Sequence, residues 1–317
     1  MDWNNVYGHQ QMLPVMLNGG YITTLFVAGA NAVLYSLLRN QDENPFGHGS
    51  DTLRIFPRTV ALLLLYASGA IELVYQFSSR YPDTSLSVLY LQLYTGVFLL
   101  AIWWLVRRGT LGLSRTLWIW IMAGFMFTYF ITMPLAYDVQ SQVLISGQYG
   151  GHFVAHWGAA FAAALIFWQI IAQFRRREGA DDYRTMVTWI ASALAVLFVS
   201  VELQLLINTL FYGSQNSLEG IGNTYARVGL PIIWGICSFV LMWLGMRHKY
   251  RPIRIVSLTL FTITLLKLFL FDIRHLAPGG KIAAFFSLGV LLLIVSFMYQ
   301  RLKRLIIEDE RKDDGAQ

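Results

Sequence analysis

Four ionisable residues lie inside long apolar segments of this sequence: Glu72, Glu202, Lys267 and Asp272. Burying a charge in hydrocarbon is costly, so such residues usually face protein or water and often serve transport. Glu72 and Glu202 are predicted to line a polar cavity in which they bind a cation or carry a proton. The alternative is that each carboxylate bonds a neighbouring helix, or reaches the headgroup region, and serves packing only.

Lys267 needs a partner from another part of the chain. Asp272 follows it by five positions, which is about 140° around a helix, so the two side chains diverge. Counted from the arginine that opens each segment, at a helical rise of about 1.5 Å per residue, Glu72 and Lys267 lie roughly 21 and 20 Å into the membrane. Glu202 and Asp272 lie nearer the outer interface, at roughly 27 Å from the cytoplasmic side. We therefore expect a carboxylate to hold Lys267, with Glu72 the first candidate and Glu202 the second.

His152 and His156 are four positions apart and are predicted to share one helix face, the spacing at which two imidazoles can bind one metal ion. No third ligand is placed by a motif, and no His-Glu-x-x-His pattern occurs. Ordinary polar contacts are therefore the favoured interpretation, with no metal and no cofactor. Asp138, in the loop predicted before this helix, is expected near the same outer surface.

The segments that carry these residues are long enough to cross a bilayer. The chain has 317 residues, of which 56% are hydrophobic and 13% charged, whereas soluble domains are about 25% charged. A soluble fold is excluded, and unbroken leucine runs favour helices over barrel strands. We predict an all-α membrane protein of nine spans: 20–38, 58–78, 86–106, 116–136, 152–174, 186–210, 226–246, 254–272 and 281–300.

Basic residues indicate how these spans are oriented. Of the 24 lysines and arginines, nineteen lie in the loops on the C-terminal side, four lie on the other side, and Lys267 lies in a span. Because basic loops stay inside, the N-terminus is predicted to be periplasmic and the C-terminus cytoplasmic. Insertion also accounts for the net charge of +6, so nucleic acid is not an expected partner. The single cysteine, Cys237, excludes a disulfide framework.

A Gly-Gly pair precedes three of the spans, beginning at Gly19, Gly150 and Gly279. The spacing of about 130 residues predicts a parallel repeat of four helices. Residues 1–38 then form a periplasmic tail and a first helix equivalent to the last helix of a repeat. Residues 39–177 and 178–304 form two repeats, and 305–317 a charged cytoplasmic tail. In the second repeat, Gly229, Pro231 and Gly235 could mark a helix kink that lines a cavity.

The last eighty residues carry a spaced set of charged, glycine and tyrosine positions: Arg254, 266–272 (LKLFLFD), Leu276, 287–292 (SLGVLL) and 296–301 (SFMYQR). This set resembles the C-terminal signature of the bacterial membrane proteins grouped as domain of unknown function 2339. The resemblance implies a bacterial inner-membrane protein, often much longer and with many spans. It implies no established reaction and no catalytic residue.

Three classes of function fit these observations. A transporter-like or ion-coupled carrier is favoured, because it explains parallel repeats with intramembrane acids. A non-catalytic assembly subunit of an envelope complex would explain short loops and the absence of a nucleotide, nucleophile or triad motif. A membrane enzyme acting on lipid or glycan at the periplasmic face would require the outer histidines and acids to converge. Membrane lipids, and either an envelope protein or a small-molecule or ion ligand, are the expected partners.

Overall fold

The computed structural model describes residues 14–39, 50–109, 114–147, 150–175, 181–213 and 215–268, together with single helical positions between 282 and 296. All regular elements within these ranges are helical, and no strand occurs in them beyond an isolated bridge between Gly213 and Asn216. The chain divides into two compact units, residues 1–172 and 173–317. The predicted repeat boundaries stay a prediction.

The first unit contains six α-helices and a short 3₁₀ turn, Gly150–Phe153, before the last of them. The helices are α1 (Gly19–Arg39), α2 (Ser50–Arg80), α3 (Leu86–Arg107), α4 (Arg115–Ile131), α5 (Met133–Ser146) and α6 (Val154–Arg175). The second unit contains α7 (Asp181–Phe211), α8 (Leu218–Thr224), a π-helical turn (Tyr225–Gly229), α9 (Leu230–Arg247) and α10 (Arg251–Lys267).

Six of the described helices are long and apolar enough to cross a membrane, or seven if the bent pair α4 and α5 counts as one span. They coincide with seven of the nine predicted spans. Helix α10 occupies most of the eighth, and the ninth lies almost wholly outside the described residues. The nine-helix total therefore stays a prediction, whereas a helical, multi-pass architecture is confirmed.

The fourth predicted span is not a single helix. It breaks at Thr132, where α4 and α5 meet with a bend of 44°, and α5 continues to Ser146. Pro134 in the first turn of α5 explains the break, because proline lacks an N–H and its ring excludes a preceding helical turn. Asp138 consequently lies on α5. Its placement in a loop, predicted from the end of the apolar run, was wrong.

Small residues let three helices of the first unit approach closely. A Cβ built on Gly96 of α3 would lie 2.8 Å from the Cβ of Ala162 on α6 and 3.3 Å from the Phe125 ring on α4. Ala159 and Ala163, also on α6, are fully buried. Close contact of this kind is how membrane helices gain packing energy without a hydrophobic driving force between them.

Helices α9 and α10 of the second unit form an antiparallel pair. Gly245 permits their approach near the turn, because a Cβ there would lie 2.6 Å from the Cγ of Arg254. Further along, the Ser257 hydroxyl donates a 2.7 Å hydrogen bond to the carbonyl of Ser238. Helix α7 packs against both helices. Residues of all three helices line a cavity.

Candidate functional site

Glu72 is held by the start of the chain's first described helix. The carboxylate is only 3% exposed and accepts hydrogen bonds from the Met16 backbone N–H at 3.0 Å, from Asn18 Nδ2 at 2.6 Å and from Gln76 Nε2 at 2.9 Å. Asn18 Oδ1 in turn accepts a 2.8 Å bond from the backbone N–H of Tyr21, as an N-cap does. The bonds from Met16 and Asn18 attach the beginning of α1 to α2.

His152 lies in an aromatic cluster at the same end of the first unit. Its Nδ1 is 2.8 Å from the Tyr90 hydroxyl and its Nε2 is 3.4 Å from the Tyr81 hydroxyl. Phe77 stacks on Tyr90, with 4.0 Å between ring centroids, and meets the imidazole edge-on. Both ring nitrogens therefore contact phenol groups, which suits positioning of the 3₁₀ turn better than metal binding.

His156 packs in different surroundings. It is completely buried and stacks between Phe153, with 5.2 Å between centroids, and Tyr129, at 6.4 Å. The two histidines thus occupy separate aromatic clusters, and Asp138 is exposed on α5. Among the described residues, no three His, Cys, Asp or Glu side chains come close enough to hold a metal ion.

A buried amide near the break between α4 and α5 was not singled out from the sequence. Gln92 on α3 is 8% exposed and its Nε2 donates to the hydroxyl of Thr132, the residue at the break. A glutamine within an apolar helix is the signal that could have identified it. The contact braces the bend, because Thr132 also donates to the Thr128 carbonyl at 2.7 Å.

In the second unit, the Lys267 ammonium donates a 2.7 Å hydrogen bond to the backbone carbonyl of Ala226 in the π-helical turn. Glu202 is half-buried on α7. Asp272 lies outside the described residues. The expected carboxylate partner of Lys267 stays a prediction, and the carbonyl bond is a contact that the sequence analysis did not anticipate.

A cavity of about 410 Å³ lies between α7, α9 and α10, within the second unit. Its walls are mainly aliphatic and aromatic: Trp189, Ser192, Ala193, Val196, Leu197, Ser200, Val201, Gln204, Leu230, Trp234, Val256, Thr259, Leu260 and Ile263. The lining runs along α7 from Trp189 to Gln204, a length of roughly 22 Å at the helical rise. The volume is in the range of small-molecule sites.

Ser200, the polar residue midway along this cavity, is engaged by protein groups. Its hydroxyl donates to the Val196 carbonyl at 2.7 Å and accepts from Trp234 Nε1 at 3.0 Å. Its backbone carbonyl accepts from the Tyr225 hydroxyl. The middle of the cavity therefore presents a mostly apolar surface, suited to a hydrocarbon chain rather than to a hydrated ion.

The π-helical turn Tyr225–Gly229 stands at the end of the cavity that is predicted to face outward. The Leu230 N–H bonds the Tyr225 carbonyl, five residues back, and Leu230 itself lines the cavity. Glycine is required at 229, because a Cβ there would lie 2.6 Å from the Tyr225 ring. Turns of this type are frequent at functional sites. The kink suspected from Gly229 and Pro231 thus takes the form of a π turn beside a cavity.

Comparison with known proteins agrees with the resemblance seen at the C-terminal end and extends it. The family model described as "Predicted membrane protein (DUF2339)" matches residues 2–302. No curated protein and no solved structure matches the chain. Because the match covers nearly the whole sequence, the chain belongs to this family of multi-pass membrane proteins, domain of unknown function 2339.

Proposed function

We propose that this protein is a transporter-like carrier for a lipid-like molecule, which occupies the cavity of the second unit. The observation that carries the proposal is that cavity, about 410 Å³ between α7, α9 and α10, with a π-helical turn at one end. A sealed bundle, which an assembly subunit would favour, has no need of such a space.

The shape and chemistry of the cavity support a hydrocarbon ligand. Its lining extends roughly 22 Å along α7, and Ser200 is engaged by protein donors and acceptors. A hydrated cation would lose its water ligands against this surface without replacement. An acyl or prenyl chain loses nothing comparable, because it exchanges contact with lipid tails for contact with side chains.

In this proposal Glu72 has a structural role, whereas the sequence analysis expected it to bind a cation or carry a proton. Two of its described donors, the Met16 N–H and Asn18 Nδ2, fasten the start of α1 to α2, so we assign Glu72 to the scaffold of the first unit. The proposal retains the predicted placement in a bacterial inner membrane, with a periplasmic N-terminus, a cytoplasmic C-terminus and two parallel four-helix repeats. In that orientation the π-helical turn faces the periplasmic leaflet.

Photocrosslinking tests whether the cavity takes a hydrocarbon chain. The full-length protein in lipid nanodiscs is irradiated with a diazirine-bearing fatty acid, and labelled peptides are mapped by mass spectrometry. Label is expected on the cavity face of α7. Ala193→Trp should fill the cavity and reduce that label severalfold, because Ala193 is part of its lining. Val199→Trp is the matched control, since Val199 is 42% exposed on the same helix outside the lining.

A second measurement separates a carrier from an assembly subunit. Vesicles containing the purified protein and a fluorescent lipid are treated with dithionite, which reduces only the fluorophores of the outer leaflet. Loss of fluorescence beyond the outer-leaflet fraction, abolished by Ala193→Trp but not by Val199→Trp, is expected of a carrier. Uniform labelling of α7, or a fluorescence loss that both variants share, would contradict the proposal.

A further inference from the structure

The turn between α9 and α10 is strongly basic. It contains, in order, Arg247, His248, Lys249, Tyr250 and Arg251. All of these side chains except that of Tyr250 are exposed. The sequence contains no acidic residue between Glu219 and Asp272, and no carboxylate of the described residues pairs with a basic side chain of this turn. The turn therefore presents a net positive charge to its surroundings.

This basic turn lies at the end of the cavity opposite the π-helical turn. The Tyr250 hydroxyl is 3.2 Å from that of Thr188, and the next residue of α7, Trp189, begins the cavity lining. On α10 the lining begins at Val256, roughly 8 Å along the helix from Arg251. The contact between Thr188 and Tyr250 thus fixes the charges of the turn beside the cavity.

The same turn has the features of a membrane interface. It follows Leu218–Arg247, a stretch that is long and apolar enough to cross a membrane. The Arg247 guanidinium lies over the Trp243 ring, 5.2 Å from its centroid, and tryptophan is enriched where the bilayer meets water. The ring carries no net charge, so this contact orients the guanidinium without neutralising it. Lipid phosphates occupy the same layer of the membrane.

Lys249 occupies a backbone position that favours glycine. Its φ is 52°, in the left-handed region. The Lys249 N–H bonds the Met246 carbonyl at 3.2 Å, and the Tyr250 N–H bonds the Gly245 carbonyl at 3.0 Å. These two bonds form a Schellman motif with Lys249 in its left-handed position, where a side chain costs stability and glycine does not. The turn would be more stable with glycine, so the lysine does not serve the fold of the turn.

We infer that this turn is a binding site for the phosphate of an anionic bilayer lipid, with Lys249 as the residue that determines its preference for negative charge. The Arg247 guanidinium and the Lys249 ammonium donate charge-assisted hydrogen bonds of the kind that phosphate oxygens accept. Each basic residue near the membrane surface strengthens the attraction to anionic lipid by about fivefold. The site adjoins the cavity but goes beyond the proposed function, because it needs no ligand inside the cavity.

The test labels the full-length protein in nanodiscs with two lipids that carry a diazirine next to the headgroup, one a phosphatidylglycerol and the other a phosphatidylcholine. Chymotryptic peptides from the α9–α10 turn of the wild type should be labelled about tenfold more by the anionic lipid. Lys249→Gly should reduce this preference by about fivefold, and Lys249→Arg should retain it. Arg227→Gln is the matched control, because it removes an exposed charge from the π-helical turn at the other end of the cavity, and it should also retain the preference.

Thermal stability distinguishes the loss of a charge from damage to the turn. In a neutral detergent without anionic lipid, Lys249→Gly should raise the melting temperature by a few degrees, because glycine relieves the left-handed position. Lys249→Arg should match the wild type. A melting temperature that falls together with the preference would mean that the lysine serves the turn itself, and it would overturn the inference.

The remaining outcomes separate this inference from the proposed function. A preference that survives Lys249→Gly, a preference that Arg227→Gln abolishes, or equal labelling of the wild-type turn by both lipids would overturn the inference and leave the proposed carrier unaffected. If millimolar inorganic phosphate displaces the anionic lipid, the turn binds the free anion and the lipid assignment is wrong. Failure of the diazirine fatty acid to label the cavity, with the preference at the turn intact, would contradict the carrier and support this site.

Discussion

Exchanging the carboxylate of Glu72 and the amide of Asn18 tests whether Glu72 has a structural role, in which it attaches the start of α1 to α2. Among the described contacts, Oε1 of Glu72 accepts from Met16 and Gln76, and Oε2 accepts from Asn18. In Glu72→Gln the amide oxygen can keep the first two bonds, but its NH₂ group then faces the NH₂ group of Asn18. One charge-assisted bond is lost and two donors are opposed, which we expect to cost about 2 kcal/mol.

Adding Asn18→Asp should recover most of this loss. The side-chain amide introduced by Glu72→Gln can donate to one oxygen of the new aspartate. The other oxygen can still accept from the Tyr21 N–H, because aspartate is as good an N-cap as asparagine. Asn18→Asp alone places two carboxylates together and should be the most destabilised of the three variants.

Two measurements follow these variants. Unfolding in mixed detergent micelles gives the differences in the free energy of unfolding. Hydrogen exchange at the start of α1 reports whether this end of the helix stays attached to α2. Exchange should be fast in each single variant and close to the wild-type rate in the double variant. If Glu72→Gln matches the wild type in both measurements, or if the double variant is no more stable than the single variants, Glu72 does not attach α1 to α2.

Three further predictions concern packing and topology. Gly96→Ala should destabilise the first unit by about 1–3 kcal/mol through overpacking, because the new Cβ would lie 2.8 Å from the Cβ of Ala162. Adding Ala162→Gly should recover this loss of stability. Gly124→Ala, which has open space around it, is the control, and thermal unfolding compares all the variants. Gly229→Ala should lower both the melting temperature and the labelling of the cavity by the diazirine fatty acid, because the new Cβ would displace Tyr225 from the π turn. Unchanged labelling would contradict this prediction. Reporter fusions after the first, fifth and ninth predicted spans should all report a cytoplasmic location, and one between the fourth and fifth a periplasmic location; the opposite pattern would reverse the topology.

Hydropathy is a property of short windows, which is why the membrane spans could be predicted from the amino-acid order. A run of about twenty apolar residues must become a helix in lipid whatever its neighbours are, because its backbone groups have no other partners. The family signature is likewise a matter of spacing along the chain. The helical, multi-pass architecture and the family are both confirmed, whereas the count of nine spans stays a prediction. The bend at Thr132 was missed although Pro134 is visible, because the apolar window continues across it.

Side-chain partners and the cavity depend on which helix faces meet, and hydropathy does not encode this. The sequence around Glu72 does not indicate that Asn18, fifty-four positions earlier, donates its shortest described hydrogen bond. Pro231 shows that a carbonyl loses a donor, yet only the packing of α10 against the π turn brings Lys267 to Ala226. In lipid every face of a helix is apolar, so pairing follows shape and a few polar contacts, and these exist only once the helices have assembled.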